Sequence, residues 1–314
     1  MVCDMCMDNS SCSLCGWREG RPQVYRTRAS WDYFQCPTCG VISLRPVPNE
    51  EDLRVYYNEA YSVVAEAYAR GTKRNAPPIL SGLAEKFPAR GKLLEVGCSY
   101  GFFLDAARRD GWEAAGVELD EAAAKYGREK LGLKIFSGTV ESECARFEPP
   151  YDVIATFHVI EHVRDPNGFL QRCRKLLREN GVLILKTPNV ASWIARRTGA
   201  YWHWLSPPAH IHLFSPETLK LALEKSGFQV EKIWSRRGDA GNNLFELACA
   251  VGRYVMSRKN GAANQNGRKN WSDRWQVNAA RVASEAIYYP LGLALDPWLG
   301  KKGLQPELVA IARG

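Results

Sequence analysis

The chain has 314 residues, of which 46% are apolar and 24% are charged, and its formal net charge is +8. This content supports a sizeable core, so the composition excludes a disordered chain and predicts one large domain with an appendage, or two domains. No apolar stretch approaches the roughly 18 residues of a transmembrane helix, and residues 1–9 are unlike a signal peptide, which predicts a cytoplasmic protein. The basic residues are scattered among 34 acids, so nucleic-acid binding is not expected.

The cysteines are concentrated near the N-terminus. Six of the ten form three pairs of identical spacing: Cys3/Cys6, Cys12/Cys15 and Cys36/Cys39. Without a secretory signal, such pairs favour metal ligands over disulfides. The last two pairs are each followed by a glycine, which lets the backbone turn its amides towards sulfur, and they suit a tetrahedral zinc site. We predict a structural zinc on Cys12, Cys15, Cys36 and Cys39, while Cys3 and Cys6 could exchange with these ligands, join a second site or stay unligated.

A domain boundary is predicted near Asn49, where prolines give way to the acidic first turn of a helix. We therefore expect a small module over residues 1–48 and a larger domain over 49–314. In the larger domain, periodicity predicts strands at 92–97, 112–119, 133–138, 151–158, 182–188, 228–234 and 307–313, and helices at 102–111, 120–132, 165–181 and 215–227. This alternation predicts an α/β fold with a mostly parallel seven-stranded sheet and helices on both faces.

About 70 residues separate the last two predicted strands. A polar break rich in asparagine, glycine and lysine lies between two helix-like segments, which predicts a helical insertion over about 242–300. We expect a lid or packing element here. Its aromatic and basic residues also leave open a membrane-surface contact or a homo-oligomer interface.

The run LLEVGCSYGFF (93–103) predicts a strand, a tight turn and a helix. A dinucleotide-binding turn needs G-x-G-x-x-G, but here Gly97 and Gly101 flank Ser99 at the middle position, and Phe102 replaces the third glycine. A phosphate-binding Walker loop is excluded because no Gly-Lys-Ser/Thr follows. The turn therefore fits a nucleotide without a pyrophosphate.

Two acids narrow the choice of nucleotide. Glu95 lies in the strand before the turn, and Glu118 ends the next strand 21 residues after Gly97, where a carboxylate can accept hydrogen bonds from both ribose hydroxyls. A cofactor with a ribose, a cationic tail and no phosphates matches these features. We predict S-adenosylmethionine.

The runs LEVGCSYG, GVELD, YDVIATFHVIEHVRDP and VLILKTPN resemble the class I S-adenosylmethionine-dependent methyltransferases in order, spacing and residue type. The resemblance spans roughly residues 55–237 and the terminal strand, and implies a Rossmann-like fold. The positions implied at the cofactor are Glu95, Gly97, Cys98, Ser99 and Gly101 at the methionine end, Glu118 at the ribose, Thr139 and Val140 at the adenine, and Phe157 and His158 closing over it. Ser99 departs from the usual glycine but is small enough for close backbone approach. The N-terminus resembles the zinc-ribbon-type module of one branch of these enzymes, which includes relatives acting on sugars and natural products.

A hydroxyl acceptor needs a base to take its proton. In the fold that the resemblance implies, residues 201–216 cross above the methyl group and form the acceptor wall. His210 and His212 in this wall are the leading base candidates, followed by Glu161 and His162. The Glu161-His162 pair is similar to that of quinone O-methyltransferases, where a divalent ion assists, although a helix-capping or packing role is the alternative we favour.

The sequence thus predicts a methyltransferase for a small molecule (a sugar, lipid, quinone-like compound or secondary metabolite), acting at a hydroxyl oxygen. Relatives that methylate sugar carbons usually carry an extra C-terminal domain, whose absence favours oxygen, but a sugar C-methyltransferase stays open. A zinc-containing nucleic-acid-binding or modifying protein is a further alternative, which the mixed charges of the N-terminal module disfavour. An inactive scaffold is disfavoured because Glu95, Gly97 and Glu118 are all retained.

Overall fold

The computed structural model describes residues 11–18, 23–25, 31–59, 65–142, 146–237, 250–251, 302 and 304–314. Nearly all of the predicted insertion at 242–300 lies outside these residues, as do Cys3 and Cys6. Within the described ranges, no helix is both long enough and apolar enough to cross a membrane.

The elements follow the predicted alternation. The strands are β1 (Gln23–Tyr25), β2 (Asp32–Gln35), β3 (Ile42–Arg45), β4 (Lys92–Val96), β5 (Glu113–Glu118), β6 (Lys134–Ser137), β7 (Tyr151–Phe157), β8 (Leu177–Pro188), β9 (His212–Leu213), β10 (Gln229–Arg236) and β11 (Glu307–Arg313). The helices are α1 (Glu50–Glu59), α2 (Ala65–Lys86), α3 (Phe102–Arg109), α4 (Glu121–Leu131), α5 (Pro166–Leu176), α6 (Trp193–Thr198) and α7 (Pro216–Lys225).

Seven of these strands form the central sheet in the spatial order β10-β11-β8-β7-β4-β5-β6. The five neighbouring strands β8, β7, β4, β5 and β6 run parallel to one another, and β11 is antiparallel to both of its neighbours. The predicted mostly parallel sheet is therefore confirmed. Because parallel strands end at one edge of a sheet, the loops after β4, β5, β7 and β8 meet there, and this edge is where α/β folds bind ligands.

The sheet is buried on both faces, which explains why its central strands read as nearly continuous apolar runs. In β4, Leu93 belongs to the core layer that contains Leu83 of α2 and Leu104 of α3. The next residue, Leu94, belongs to the opposite layer with Leu170 of α5. The prediction of helices on both faces is confirmed.

The predicted helix at 165–181 was too long. It begins as expected, with Asp165 capping the amide of Gly168, but ends at Leu176. Leu177 already pairs with Tyr151 of β7 as the first residue of β8. The pattern of the segment favours a helix in isolation, but the partner strand supplies backbone hydrogen bonds that override this preference.

The N-terminal module carries a second sheet, in the order β1-β2-β3-β9. Its fourth strand, β9, comes from the predicted acceptor wall, and Ile42 and Ser43 pair antiparallel with Leu213 and His212. The module is thus hydrogen-bonded to the larger domain through one continuous sheet. Nothing in the module's own sequence indicates this partner.

Candidate cofactor and acceptor site

The turn after β4 requires three left-handed residues. Gly97 has φ 75°, and a Cβ there would lie 2.3 Å from Val159 Cγ2. Gly101 has φ 80°, and its Cβ would lie 2.6 Å from Leu133 Cδ1. Ser99 has φ 48°, a conformation that favours glycine. The backbone at Ser99 therefore has the left-handed conformation of a glycine turn, although serine stands where glycine is usual.

Glu118 links the end of β5 to this turn. Its Oε2 accepts a hydrogen bond from the Ser99 amide at 2.7 Å, and its Oε1 accepts one from the Asp120 amide at 2.9 Å. Burial raises the pKa of the carboxyl. Each carboxylate oxygen keeps further acceptor capacity, so Glu118 can receive two hydroxyl donors at the carboxyl edge of the sheet.

Leu119 is a site residue that the sequence analysis missed. Its side chain is 63% exposed beside Glu118, which gives the edge of the site an apolar surface. The sequence feature that could have indicated Leu119 is its position: it is a large apolar residue directly after Glu118, the acid that ends β5. The Gly138 amide donates to the Glu118 carbonyl at 2.8 Å, which brings the exposed Thr139 to the same edge, whereas Val140 is buried in the core.

Glu95 is 4% exposed, and its Oε2 has no hydrogen-bond partner among the residues that the structure describes. Burial raises the pKa of this carboxyl well above its usual value, and the charge of Lys186 offsets part of that shift. An unsatisfied buried oxygen is costly, so a donor or cation at this point would be stabilising. Cys98 lies beside the turn, but its thiol packs inwards, 2.7 Å from where a Cβ on Gly116 would lie.

Phe157 and His158 follow at the end of β7. Phe157 is half-buried and packs edge-on against Phe103, with ring centroids 5.0 Å apart. The Lys186 ammonium lies 4.5 Å from the Phe157 centroid. The same ammonium group acts through its charge on the carboxyl of Glu95.

His158 is held between two buried acids. Its Nδ1 lies 3.2 Å from Glu161 Oε1 and its Nε2 lies 2.8 Å from Glu307 Oε1. Burial alone lowers the pKa of His158, but these two hydrogen bonds outweigh it and raise the pKa to about 10. The ring is therefore an imidazolium at neutral pH. It stacks on Trp204 at 5.3 Å with an interplanar angle of 2°.

The rings of His162 and His210 meet edge to face at 4.6 Å. Nδ1 of His162 lies 3.0 Å from the Ala209 carbonyl, and Nδ1 of His210 lies 2.7 Å from the Trp204 carbonyl. A carbonyl only accepts hydrogen bonds, so each Nδ1 carries the proton and each neutral ring has a lone pair at Nε2. Burial lowers the pKa of both rings, that of His210 to about 3.

Glu161 completes this histidine cluster, which we define as Glu161, His162 and His210. Its Oε2 accepts a hydrogen bond from Thr187 Oγ1 at 2.9 Å. Burial alone raises the pKa of this carboxyl, but the hydrogen bond and charge of His158, together with the nearby His162 and His210, outweigh it and lower the pKa to about 2. One potential ligand atom from each of the three lies within 4.8 Å of the others. A carboxylate and two imidazoles at this spacing can receive a proton or coordinate a cation.

His212, expected as a base, lies elsewhere. It is 1% exposed and has no free ring nitrogen, because Nε2 lies 3.3 Å from the Arg164 carbonyl and Nδ1 lies 3.0 Å from Ser43 Oγ. The structure therefore brings together His210 and His162 but not His212, which joins β9 to the N-terminal module.

The four predicted zinc ligands converge. The Sγ atoms of Cys12 and Cys39 are 3.6 Å apart and those of Cys15 and Cys36 are 3.5 Å apart, and all four lie within 4.8 Å of one another. Tetrahedral zinc with Zn–S bonds of ~2.3 Å places its sulfurs ~3.8 Å apart, so the cluster fits this ion. Gly16 and Gly40 end the two turns with φ of 79° and 78°, which is the role that the sequence predicted for them.

The pattern of the methyltransferase-domain family matches residues 66–233, more than half of the chain. The chain belongs to this methyltransferase-domain family. The match begins in α2 and ends in β10, so it contains the glycine turn, Glu118, the histidine cluster and the whole acceptor wall.

Two curated relatives are similar to parts of this methyltransferase-domain protein. The ubiquinone biosynthesis O-methyltransferase of Maricaulis maris is 31% identical over 161 residues, which are 48% of this chain and 63% of the relative. That of Rhodopseudomonas palustris is 26% identical over 213 residues, 60% of this chain and 79% of the relative. The chain thus covers less than two thirds of the length of the Maricaulis protein.

The fold also resembles a solved structure. Phosphoethanolamine N-methyltransferase 2 of Haemonchus contortus, in complex with S-adenosylmethionine, aligns with a TM-score of 0.52 at 13% identity, over 87% of this chain and 62% of that one. At this identity the similarity shows the fold alone. The chain thus has the Rossmann-like fold of these methyltransferases.

Proposed function

We propose that this chain is an S-adenosylmethionine-dependent methyltransferase that methylates a hydroxyl oxygen of a small aromatic acceptor of the quinone type. One observation carries the proposal: Val159, next to His158, packs against Gly97, so the glycine turn and the loop of the histidine cluster share one edge of the sheet. The names of the curated relatives support oxygen as the acceptor atom.

The residues at the glycine turn fit the cofactor. The unpartnered Oε2 of Glu95 would accept the methionine ammonium, and Glu118 would accept the ribose hydroxyls. The exposed Leu119 would cover one face of the adenine, with Thr139 at its edge. His158 and Phe157 would close the site. When bound, S-adenosylmethionine supplies a methyl group activated by its sulfonium.

The histidine cluster would handle the acceptor. Nε2 of His162 would take the hydroxyl proton, and the Glu161 carboxylate would stabilise the imidazolium that results. The pKa of His210 is lowered to about 3, so its neutral ring would orient the hydroxyl as a hydrogen-bond acceptor. Trp204, which stacks on both His158 and His210, would shield this side of the site from water.

The same cluster also fits a divalent cation, as in the quinone O-methyltransferases that the Glu161-His162 pair resembles. Each histidine of the cluster donates Nδ1–H to a backbone carbonyl, which is how metal-binding imidazoles are usually oriented. A bound cation would lower the pKa of the acceptor hydroxyl. Inhibition of methyl transfer by a chelator would favour this cation-assisted mechanism. Methyl transfer that a chelator does not affect would favour direct proton transfer to His162.

We further propose a structural zinc on Cys12, Cys15, Cys36 and Cys39. Four thiolates this close repel one another, and a divalent ion at their centre removes that repulsion. A complete set of four protein ligands leaves no position for water, so this metal would stabilise the module and take no part in methyl transfer.

The proposal is tested by calorimetric titration with S-adenosylmethionine and, separately, with NAD. Methyl transfer is then followed with radiolabelled cofactor and 3,4-dihydroxybenzoate as the probe. We expect binding of the first nucleotide only, and a methoxy product. A methyl group on a ring or sugar carbon would favour the C-methyltransferase alternative, and no binding of S-adenosylmethionine would refute the proposal.

His162→Gln is expected to lower turnover at least about 100-fold, because glutamine cannot take up the proton. The dissociation constant of S-adenosylmethionine should stay unchanged, since His162 lies on the acceptor side. His203→Gln is the matched control: the same substitution beside Trp204 but outside the cluster. Equal turnover of the two variants would remove His162 from its proposed role.

A further inference from the structure

The acceptor wall is anchored to the N-terminal module by a buried tyrosine. Tyr33 of β2 is 0% exposed, and its hydroxyl donates a hydrogen bond of 2.8 Å to the backbone carbonyl of His210. The next residue is held as well, because the Leu44 amide of β3 donates to the Ile211 carbonyl at 2.8 Å. The module therefore holds the carbonyls of His210 and Ile211, while the Ile211 amide donates to the Glu161 carbonyl of the larger domain at 2.7 Å.

Further contacts join the module to the loop after the histidine cluster. His212 contacts Ser43 on one side and the Arg164 carbonyl on the other. The Asn167 side-chain amide donates to the carbonyls of Ser13 at 3.0 Å and Leu14 at 3.2 Å. These contacts join the turn between Cys12 and Cys15 to the start of α5, which follows the loop that carries Glu161 and His162.

The cofactor half of the site is held differently. The amides of Gly97 and Cys98 both donate to the Val117 carbonyl, at 2.9 and 3.2 Å, and Ser99 is held by Glu118 at 2.7 Å. All of these partners belong to β5 of the central sheet. A change in the module should therefore reach the acceptor half and leave the cofactor half intact.

We propose that Tyr33 is a positioning residue for His210, and that through it the N-terminal module sets the geometry of the acceptor site. The expected effect of Tyr33 on turnover rests on the function proposed above. Nδ1 of His210 is bound to the Trp204 carbonyl, so its ring follows the local backbone. Without the Tyr33 hydroxyl, the His210 carbonyl loses its buried donor and Nε2 moves relative to His162. Displacements of about 1 Å from productive geometry can cost on the order of 100-fold in rate.

The test compares Tyr33→Phe with Tyr25→Phe. Tyr25 is the cross-strand neighbour of Tyr33 in the same sheet, so the control removes the same atom from an adjacent position. Nitrogen-15 histidine NMR is the first measurement, because the five histidines of the chain can be assigned by single substitutions. We expect the His210 and His162 resonances to shift in Tyr33→Phe and to stay in place in Tyr25→Phe.

Binding and turnover give the second measurement. We expect the dissociation constant for S-adenosylmethionine to change less than about twofold in Tyr33→Phe, while kcat on 3,4-dihydroxybenzoate falls at least about tenfold. Should Tyr33→Phe not fold, 3-fluorotyrosine at position 33 keeps the ring and changes only the strength of the hydroxyl donor. It should shift the same two resonances.

Unchanged His210 and His162 resonances in folded Tyr33→Phe, or an equal shift in Tyr25→Phe, would overturn the inference. A purely structural role would lower the melting temperature of the variant without moving these resonances. The spectra need no acceptor, so they decide the positioning role even if the wild-type chain does not methylate the probe. Failure of the proposed function would instead appear as absent turnover in the wild-type chain.

Discussion

Glu118→Ala is expected to weaken S-adenosylmethionine binding at least about 100-fold, the effect of losing two charge-assisted hydrogen bonds of ~1.5 kcal/mol each. The carboxylate ends β5 with its oxygens fixed by the Ser99 and Asp120 amides, so it is oriented before the ribose arrives. Alanine removes both the acceptors for the ribose and the support for the turn. Calorimetric titration measures the loss.

The matched control for this variant is Glu113→Ala, at the opposite end of the same strand. The Glu113 side chain makes an exposed contact with Lys92 at 3.9 Å, a type of pair that contributes little. Its variant should bind the cofactor like the wild type. Unchanged affinity in Glu118→Ala, with a wild-type melting curve, would remove the ribose assignment and with it the main argument for this cofactor.

Cys36→Ser is expected to release the proposed zinc and unfold the N-terminal module. Structural zinc contributes apparent binding free energies on the order of 10 kcal/mol to small domains, far more than the packing of a short sheet. Metal content by mass spectrometry and the melting temperature measure both effects. Because the module holds the acceptor wall, methyl transfer should be lost together with the metal.

Cys173→Ala serves as the control for loss of a buried thiol. Cys173 is a buried residue of α5 that shares a core layer with Cys12 and Cys36 but is not one of the four converging sulfurs. The variant should be less stable than the wild type but keep its metal. A wild-type preparation that contains no metal and yet has a folded module would refute the zinc proposal.

If the acceptor wall depends on the module as proposed, the proposed zinc would influence methyl transfer without taking part in it. A wall of loops has few backbone hydrogen bonds of its own and needs support from regular structure. Here β3 supplies that support by pairing with β9. The cofactor turn needs no such support because β5 provides it.

Local pattern was enough to predict most of the central sheet. The run ELVAIAR predicted a strand over 307–313, and β11 has those bounds. The helix predicted to start at Ser215 and Pro216 does so, with Ser215 as its cap. These features depend on short-range chemistry: a short continuous apolar run, a capping oxygen and a proline that presets the helical φ. The spacing of the cysteine pairs likewise predicted which four sulfurs meet.

What the sequence by itself determined was therefore the kind and order of the elements and the residues of the nucleotide turn. Only the tertiary structure decided that the helix stops at Leu176, because Leu177 pairs with Tyr151 on a strand distant in sequence. It also separated His210 from His212, two residues apart. One ring meets His162, and the other is enclosed between Ser43 and Arg164. The direction of a side chain in a loop depends on which backbone carbonyls and neighbouring strands surround it, and periodicity carries no information about these long-range partners.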